Sequence, residues 1–356
     1  MTEWKEYKLG DAISFGNGKV RPNSKGLIPV YGGNGILNFC DDYNYEGENI
    51  IIGRVGAYCG AVYYENNPIW VSDNALAAKP KRNFNTKFLY YFLKNLELNQ
   101  FAEGSSHPLV TQSLLNSIDV VITDNEKEQR AIASILSSLD DKIDLLHRQN
   151  KTLEQLAETL FRQWFASSEK SEVKNEKFGD LVKFIKGKKP NNAIEIFSDG
   201  LIPQILIETF DTGKTLYSDP TNMVIANKKD ILMVMDGASS GRVDIGIDGI
   251  VGSTIGLFRP TRDFNYSLFL FYFLKSNEEF ITDNTTGSAI PHTDRALVFD
   301  LDVEYTSIDK VREFEQIAEN YFNKKLSNKN QIRTLTQLRD TLLPKLMSGE
   351  IRVNIK

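Results

Sequence analysis

Two cysteines, Cys40 and Cys59, and three histidines, His107, His147 and His292, are all that a chain of 356 residues provides. So few ligands cannot supply a disulfide framework or a CxxC-type zinc site, and no metal site is expected. Long apolar runs are also missing. No stretch approaches the roughly 18 consecutive apolar residues of a membrane span, and the opening MTEWKEYKLGD lacks the charged-then-apolar layout of an export signal. A cytoplasmic protein with no membrane partner is therefore expected. Positive charge is short as well: 42 Lys and Arg against 47 Asp and Glu give a net charge of -5, which argues against a wholly basic nucleic-acid binder. Catalytic signatures are absent in turn. There is no GxGxxG cofactor loop, no Asn/Asp-Pro-Pro-Tyr sequence and no GxxxxGK[ST], and the Glu-x-Lys fragments at Glu3, Glu6 and Glu172 have no strand-borne Asp ahead of them. A chain that recognises rather than reacts is the expectation.

What is present begins with a long stripe. From Glu126 to Phe165 the positions Ile132, Leu136, Leu139, Ile143, Leu146, Asn150, Leu153, Ala157, Leu160 and Trp164 step by four and three, with no Pro or Gly inside. A mean period near 3.5 argues for one long helix burying a narrow seam against another helix. At about 1.5 Å per residue it would run roughly 60 Å, more than a compact domain needs, so it reads as a spacer. Asn150 in the seam is a candidate register-fixing polar residue or a position at the seam's wet edge.

The chain also repeats itself once. YKLGDAISFGNGK from Tyr7 is echoed by EKFGDLVKFIKGK from Glu176, an offset of 169 between Gly10 and Gly179. LIPV at Leu27 returns as LIPQ at Leu201. ENIIIGRVGAYCGAV from Glu48 matches KDILMVMDGASSGRV from Lys229, with Gly56 and Gly60 facing Gly237 and Gly241. NFNTKFLYYFLKN from Asn83 matches DFNYSLFLFYFLKSN from Asp263, GSSHPLV from Gly104 matches GSAIPHT from Gly287, and TLEQLAETL from Thr152 matches TLTQLRDTL from Thr334. A period this long means a duplicated domain, each copy with its own globule and its own helix, and no solenoid. Short β-rich runs bounded by Gly, Asn, Asp or Pro predict strands at Asn49 to Gly53, Ala61 to Tyr64, Ile69 to Val71, Ile231 to Met235, Ile250 to Val251 and Ile255 to Phe258. The apolar segments Thr86 to Leu96 and Tyr266 to Leu274 predict buried helices. Thr123 with Glu126, and Thr306 with Asp309, read as capping boxes opening the long helices. The domains expected are 1–125, a spacer helix over 126–166, a charged linker over 167–177, 178–305, and a second spacer helix over 306–348.

The order of these pieces resembles the DNA-specificity subunit of Type I restriction-modification enzymes. The carrying residues are Gly10, Asp11 and Phe15 with Gly179, Asp180 and Phe184; the Ile28-Pro29 and Ile202-Pro203 dipeptides; and the turns Gly56 to Gly60 and Gly237 to Gly241. Gly104, Ser105 and Pro108 with Gly287, Ser288 and Pro291, and the helix start Glu128 to Leu136, complete the set. The second helix departs from the pattern: EQIAENYF at Glu315 is only partly similar, and Lys325 and Asn328 interrupt its seam. The resemblance implies an α+β fold with two β-rich target recognition domains, separated by two long antiparallel coiled-coil helices in a pseudo-two-fold monomer. It implies a non-catalytic subunit that reads a bipartite target on double-stranded DNA, the helices setting the gap. It also implies two modification subunits holding S-adenosylmethionine and two restriction subunits using ATP and magnesium, with no cofactor on this chain. Leu156, Phe161, Phe165, Leu343 and Leu346 would offer them an apolar docking face.

A DNA reader needs cationic and polar side chains on loops of a rigid scaffold. The first copy offers Lys19, Arg21, Asn23 and Lys25 in a Pro- and Gly-bearing loop, Arg54 and Tyr58 around the glycines, and Ser105, Ser106 and His107 before Pro108. The second offers Lys183, Lys186, Lys188 and Lys189 as a basic cluster, Ser239, Ser240 and Arg242 at the turn, and Ser288, His292, Thr293 and Arg295 around Pro291. Each has a plainer reading beside it: a Gly turn is also an ordinary hairpin, a lysine run a solvated face, and a lone histidine a satisfied surface residue. Two other functions fit the same outline, the specificity chain of a fused methylase-nuclease system and a coiled-coil scaffold that binds no DNA.

Overall fold

The structure is a computed structural model that describes residues 4–353 except 82–83, 105–107, 166–172, 214, 263 and 288, with backbone alone at 211–212. The chain divides into two compact units, residues 1–145 with 331–356, and residues 146–330. The division falls in the middle of both long helices and not at their ends, so each unit holds half of each. A narrow apolar seam cannot be stable alone, and each half is stabilised by the half-helix beside it.

The first unit is built on the strands β1 (Trp4–Lys8), β2 (Ile13–Asn17), β3 (Ile28–Gly32), β4 (Gly35–Cys40), β5 (Asn49–Gly53), β6 (Val62–Glu65), β7 (Trp70–Val71), β8 (Ala75–Pro80) and β9 (Asp119–Thr123). An antiparallel sheet of order β2-β8-β5-β6 is its centre. Every residue of β5, Asn-Ile-Ile-Ile-Gly, is buried. Three consecutive isoleucines bury together only when both sheet faces are covered, and here they are. Ile50 and Ile52 join Leu76, Ala78 and the helix Thr86–Asn95 on one side, while Ile51 meets Tyr31 and Val71 of the smaller sheet β4-β3-β7, with Ile69 beside them, on the other. Each such isoleucine is worth about 1.5–3 kcal/mol. The pair β1-β9 then leads into the first long helix.

The second unit repeats this plan with β10 (Lys174–Lys177), β11 (Val182–Lys186), β12 (Ile202–Ile205), β13 (Tyr217–Ser218), β14 (Ile225–Ala226), β15 (Ile231–Val234), β16 (Val243–Ile245), β17 (Gly249–Val251), β18 (Ile255–Pro260) and β19 (Asp302–Tyr305). The central sheet is β11-β18-β15-β16 and the smaller one β13-β12-β17-β14. Ile231, Met233 and Phe258 face the helix Ser267–Ser276, and Leu232, Val234 and Leu257 face Ile205 and Val251. That helix is buried from Ser267 through Leu274. It is apolar all round because the half-helices of this unit cover what the sheet leaves open: Phe165 packs edge-on against Phe269 and Phe314, and Phe161 meets Phe314 edge-on and Phe269 at a tilt. Lys174 to Lys177, expected as the end of a linker, is strand β10, paired antiparallel with β19. Its partner supplies the order that its charged composition does not.

The long helices run uninterrupted over Glu126–Phe165 and Ile308–Met347. Within the first unit their halves run antiparallel: Arg339 bonds Asp140 at 2.8 Å, and Arg352, just past the second helix, bonds Glu128 at 2.7 Å. Within the second unit Lys325 meets Glu154 at 2.9 Å and Asn328 donates to Asn150 at 2.9 Å. The two residues that seemed to interrupt the second seam are thus matched to polar partners in the first. The capping residues differ by one or two positions from those expected. Asn125, not Thr123, accepts from the amides of Lys127 and Glu128, and Ser307, not Thr306, accepts from Lys310. Thr123 ends strand β9, and its buried hydroxyl donates instead to Glu128. Among the described residues no helix is long and apolar enough to cross a membrane.

The expected apolar docking face does not form. Phe161, Phe165 and Leu346 are buried, Leu343 packs against the core of the first unit, and Leu156 alone of the five is exposed. The helix ends carry more than a seam, because they close the cores of the units.

Candidate nucleic-acid interface

In the first unit β5 ends at Gly53 and the chain turns through Arg54 to Gly60 before returning in β6. Gly56 and Gly60 adopt φ of +81° and +86°, and a Cβ on Gly60 would stand 2.4 Å from the Asn99 amide, so glycine is required there. The segment after Gly104 lies against this turn: Val55 and Leu109 form an antiparallel bridge, and the Val110 amide donates to the Arg54 carbonyl at 2.9 Å. The second unit repeats the arrangement. Asp236 and His292 form the equivalent bridge, the Gly237 amide donates to the Pro291 carbonyl at 2.9 Å, and the Thr293 amide to Met235 at 2.8 Å. Two motifs about fifty residues apart in each copy therefore make one surface, twice. The loop after the first strand of each central sheet starts alike, with Lys19 donating its amide to Val71 and Lys188 to Val251, both at 3.0 Å.

On this frame Lys19, Arg21, Asn23, Lys25 and Tyr58 are exposed in the first unit, and Arg54 is half-buried with its Nε enclosed and unpartnered. Ser105, Ser106, His107 and Ser288 lie outside the described residues. In the second unit the four lysines do not make one patch. Lys183 and Lys186 stand an odd number of positions apart on β11, and a strand sends such residues to opposite faces. Lys188 and Lys189 follow in the exposed loop. Ser240 and Thr293 are buried: the Ser240 hydroxyl donates to the carbonyls of Gly237 and Pro291, and that of Thr293 to Val234 at 2.7 Å. They fasten the two segments together and present nothing outward. Ser239 is half-buried, Arg242 lies over Phe210 at 5.6 Å, and Arg295 lies over Phe184 and Phe299.

The residue missed by motif reading is Asp236. Its Oδ1 meets His292 Nδ1 at 2.7 Å, and its Oδ2 stands 3.6 Å from Lys186 Nζ. Only the alignment of the two copies singles it out, since it occupies the place of Val55. Behind the surface, sheltered carboxylates of the second unit are held by arginines. Arg259 binds both oxygens of Asp230, a residue 1% exposed, at 2.7 and 2.6 Å. Burial pushes the Glu176 carboxyl up, but its bonds with Arg262 and Tyr305 outweigh this and hold it below the ordinary range. In the first unit the Tyr91 hydroxyl is driven upward by burial and by its 2.7 Å bond to Asp140. Among the described residues no group of three or more His, Cys, Asp or Glu is placed to hold a metal.

The model of the Type I restriction modification DNA specificity domain matches residues 1–155 and again residues 170–305. The chain is 26% identical over 337 residues to the Type I restriction enzyme MjaIX specificity subunit of Methanocaldococcus jannaschii, covering 83% of this chain and 76% of that one. It is 24% identical over 316 residues to a putative type I specificity subunit of Mycoplasma genitalium, covering 84% and 81%. Its fold is similar to the crystal structure of a Type I restriction-modification S subunit from M. genitalium, with a TM-score of 0.71 at 19% identity over 100% of this chain. The two matches stand in tandem over residues 1–155 and 170–305, well over half of the sequence, and the chain belongs to the family of Type I restriction-modification DNA specificity subunits.

Proposed function

We propose that each unit reads one half of a bipartite double-stranded DNA target, and that the chain recognises DNA without catalysing a reaction on it. The observation that carries this reading is the surface built twice from a glycine turn and the segment after the second motif, on a sheet buried on both faces. A rigid base under short loops is what base readout requires. Lys19, Arg21 and Lys25 in one unit, and Lys186, Lys188 and Lys189 in the other, supply exposed cations that can meet phosphates. With a net charge of -5 the chain alone should bind DNA weakly, so partner subunits are needed to hold the duplex. Two modification subunits carrying S-adenosylmethionine and two restriction subunits using ATP and magnesium fill that part of the reading, which places the protein in the cytoplasm with the chromosome. The long helices set the unread gap.

The test maps methylated adenines in DNA from cells that carry this chain with its methyltransferase. A single bipartite motif, lost when the chain is deleted, is expected. Methylation that persists unchanged without the chain would overturn the reading. The pure chain should neither methylate nor cleave DNA. Replacing residues 1–125 by the equivalent part of a relative should change one half of the motif and leave the other intact.

A further inference from the structure

The two surfaces share a backbone and differ in chemistry at one bridge. Where the first unit places Val55 opposite Leu109, the second places Asp236 opposite His292. Asp236 has two acceptor oxygens and both are directed, Oδ1 to His292 Nδ1 at 2.7 Å and Oδ2 toward Lys186 Nζ at 3.6 Å. A carboxylate only accepts, so the imidazole proton sits on Nδ1, and in the neutral ring Nε2 is left as an acceptor. The His292 side chain is 50% exposed while Asp236 is 28% exposed, so the ring projects and its anchor is sheltered. The ring is also held from behind. The His292 amide and carbonyl both pair with Thr286, and the neighbouring Thr293 and Pro291 are tied to Val234, Met235, Gly237 and Ser240. An exposed ring fixed in tautomer and position is poorly explained as a solvated surface histidine.

We propose that His292 is a specificity-determining residue for the half-site of the second unit, its Nε2 accepting a hydrogen bond from an exocyclic amino group in the major groove. The inference rests on the DNA-reading function proposed above. Asp236 is its positioning residue, and Lys186 contacts the backbone beside it. Adenine N6 and cytosine N4 are the amino donors displayed in that groove, whereas guanine and thymine offer acceptors at the corresponding edges. Nε2 therefore selects A or C at one position on one strand. The equivalent bridge of the first unit cannot make this contact, because Val55 and Leu109 carry no polar atom on their side chains.

The experiment selects from a randomised duplex library with the chain assembled on its methyltransferase partner, first for the wild type and then for His292→Ala, His292→Gln and Asp236→Asn. Wild type should prefer A or C by about 10-fold at one position of the second half-site. His292→Ala and Asp236→Asn should reduce that preference to under about 3-fold, while every other position and the first half-site keep theirs. His292→Gln, which retains an acceptor, should keep part of it. Lys186→Gln should leave the motif unchanged and lower the salt slope of binding by about one. An unchanged motif in both His292→Ala and Asp236→Asn, or a uniform loss at every position, would overturn the assignment. Failure of wild type to select any sequence would instead overturn the DNA-reading function, so the two failures are distinguishable. A folded variant is recognised by its retained first half-site.

Discussion

The two units of this chain solve the same packing problem with different side chains. At the start of the third strand of each central sheet a polar residue is wholly buried, Asn49 in the first unit and Asp230 in the second. Asn49 satisfies its amide nitrogen on the carbonyls of Glu46 and Gly47, and the cross-sheet Lys79 bonds Glu46 as well. Asp230 instead takes both arms of Arg259, which stands at the position of Lys79. The helices above differ likewise. Asn85 caps Thr86–Asn95 and is itself held by Gln129, whereas Tyr266 cannot cap Ser267–Ser276, and Glu315 reaches across to accept from Leu268 and Phe269. At these two places one unit uses neutral amides and the other buried carboxylates. A duplicated fold keeps its backbone while the electrostatics drift, and the two copies become sensitive to different perturbations.

The sharpest way to break this comparison is to remove one cation from each unit. Arg259→Met leaves a buried carboxylate without its partner and should cost the second unit about 3–5 kcal/mol. Lys79→Met, at the equivalent place, should cost the first under about 1 kcal/mol. Native-state hydrogen exchange at Ile231–Val234 and at Ile50–Ile52 reads the two separately. Equal losses in both would show that the charge difference carries no energetic weight.

Next comes the polar pair in the seam of the second unit. Asn150→Leu leaves the buried Asn328 amide only its longer 3.4 Å bond to Gln149 and should cost about 1–3 kcal/mol, while adding Asn328→Leu should recover that loss. A double variant that stays as unstable as the single one would show that the pair is not coupled. Ser240→Ala removes the hydroxyl's bond to Pro291, which helps the Gly237 amide clasp the turn to that carbonyl, and should cost about 1 kcal/mol, visible as faster exchange of the Gly237 amide.

The smallest effect is a pH dependence. Burial raises the Glu315 carboxyl, against the Phe269 and Leu268 amides that favour its charge. A raised value in the folded state means that the fold prefers the protonated form. That contribution is fully present below the ordinary carboxyl range and is lost as pH climbs through the raised value. Glu315→Gln keeps an acceptor for the two amides and has no proton to lose, so its stability relative to wild type should rise with pH. Thermal unfolding of the two proteins from pH 4 to 8 measures this, and a flat difference would refute it.

Much of this was legible in the residues. The seam from Ile132 to Trp164, the duplicated glycine turns and the triple-isoleucine strand follow from periodicity and repetition, because those patterns are imposed by geometry over many positions. What was not legible depended on single contacts. Caps at Asn125 and Ser307 are settled by where a strand ends. The lysine run from Lys183 is divided by strand alternation. Phe161 and Phe165 are apolar residues whose partner, Phe314, lies about 150 positions away. Serines and threonines near a candidate surface proved the least readable, since Ser239 and Ser240 differ only in which way a turn points them.

The matched amides of Asn150 and Asn328 have a consequence for how such a chain can change length. A slip of one helix along the other would carry Asn328 toward Leu146 or Leu153, stranding a buried amide among leucines. The pair therefore acts as a detent with a single stop. Insertions or deletions on one side alone are penalised at once, and those that survive must come as matched edits, one in each helix, on the same side of the stop. A lineage of these proteins would accordingly change the length of its paired helices in whole notches and leave no intermediate settings.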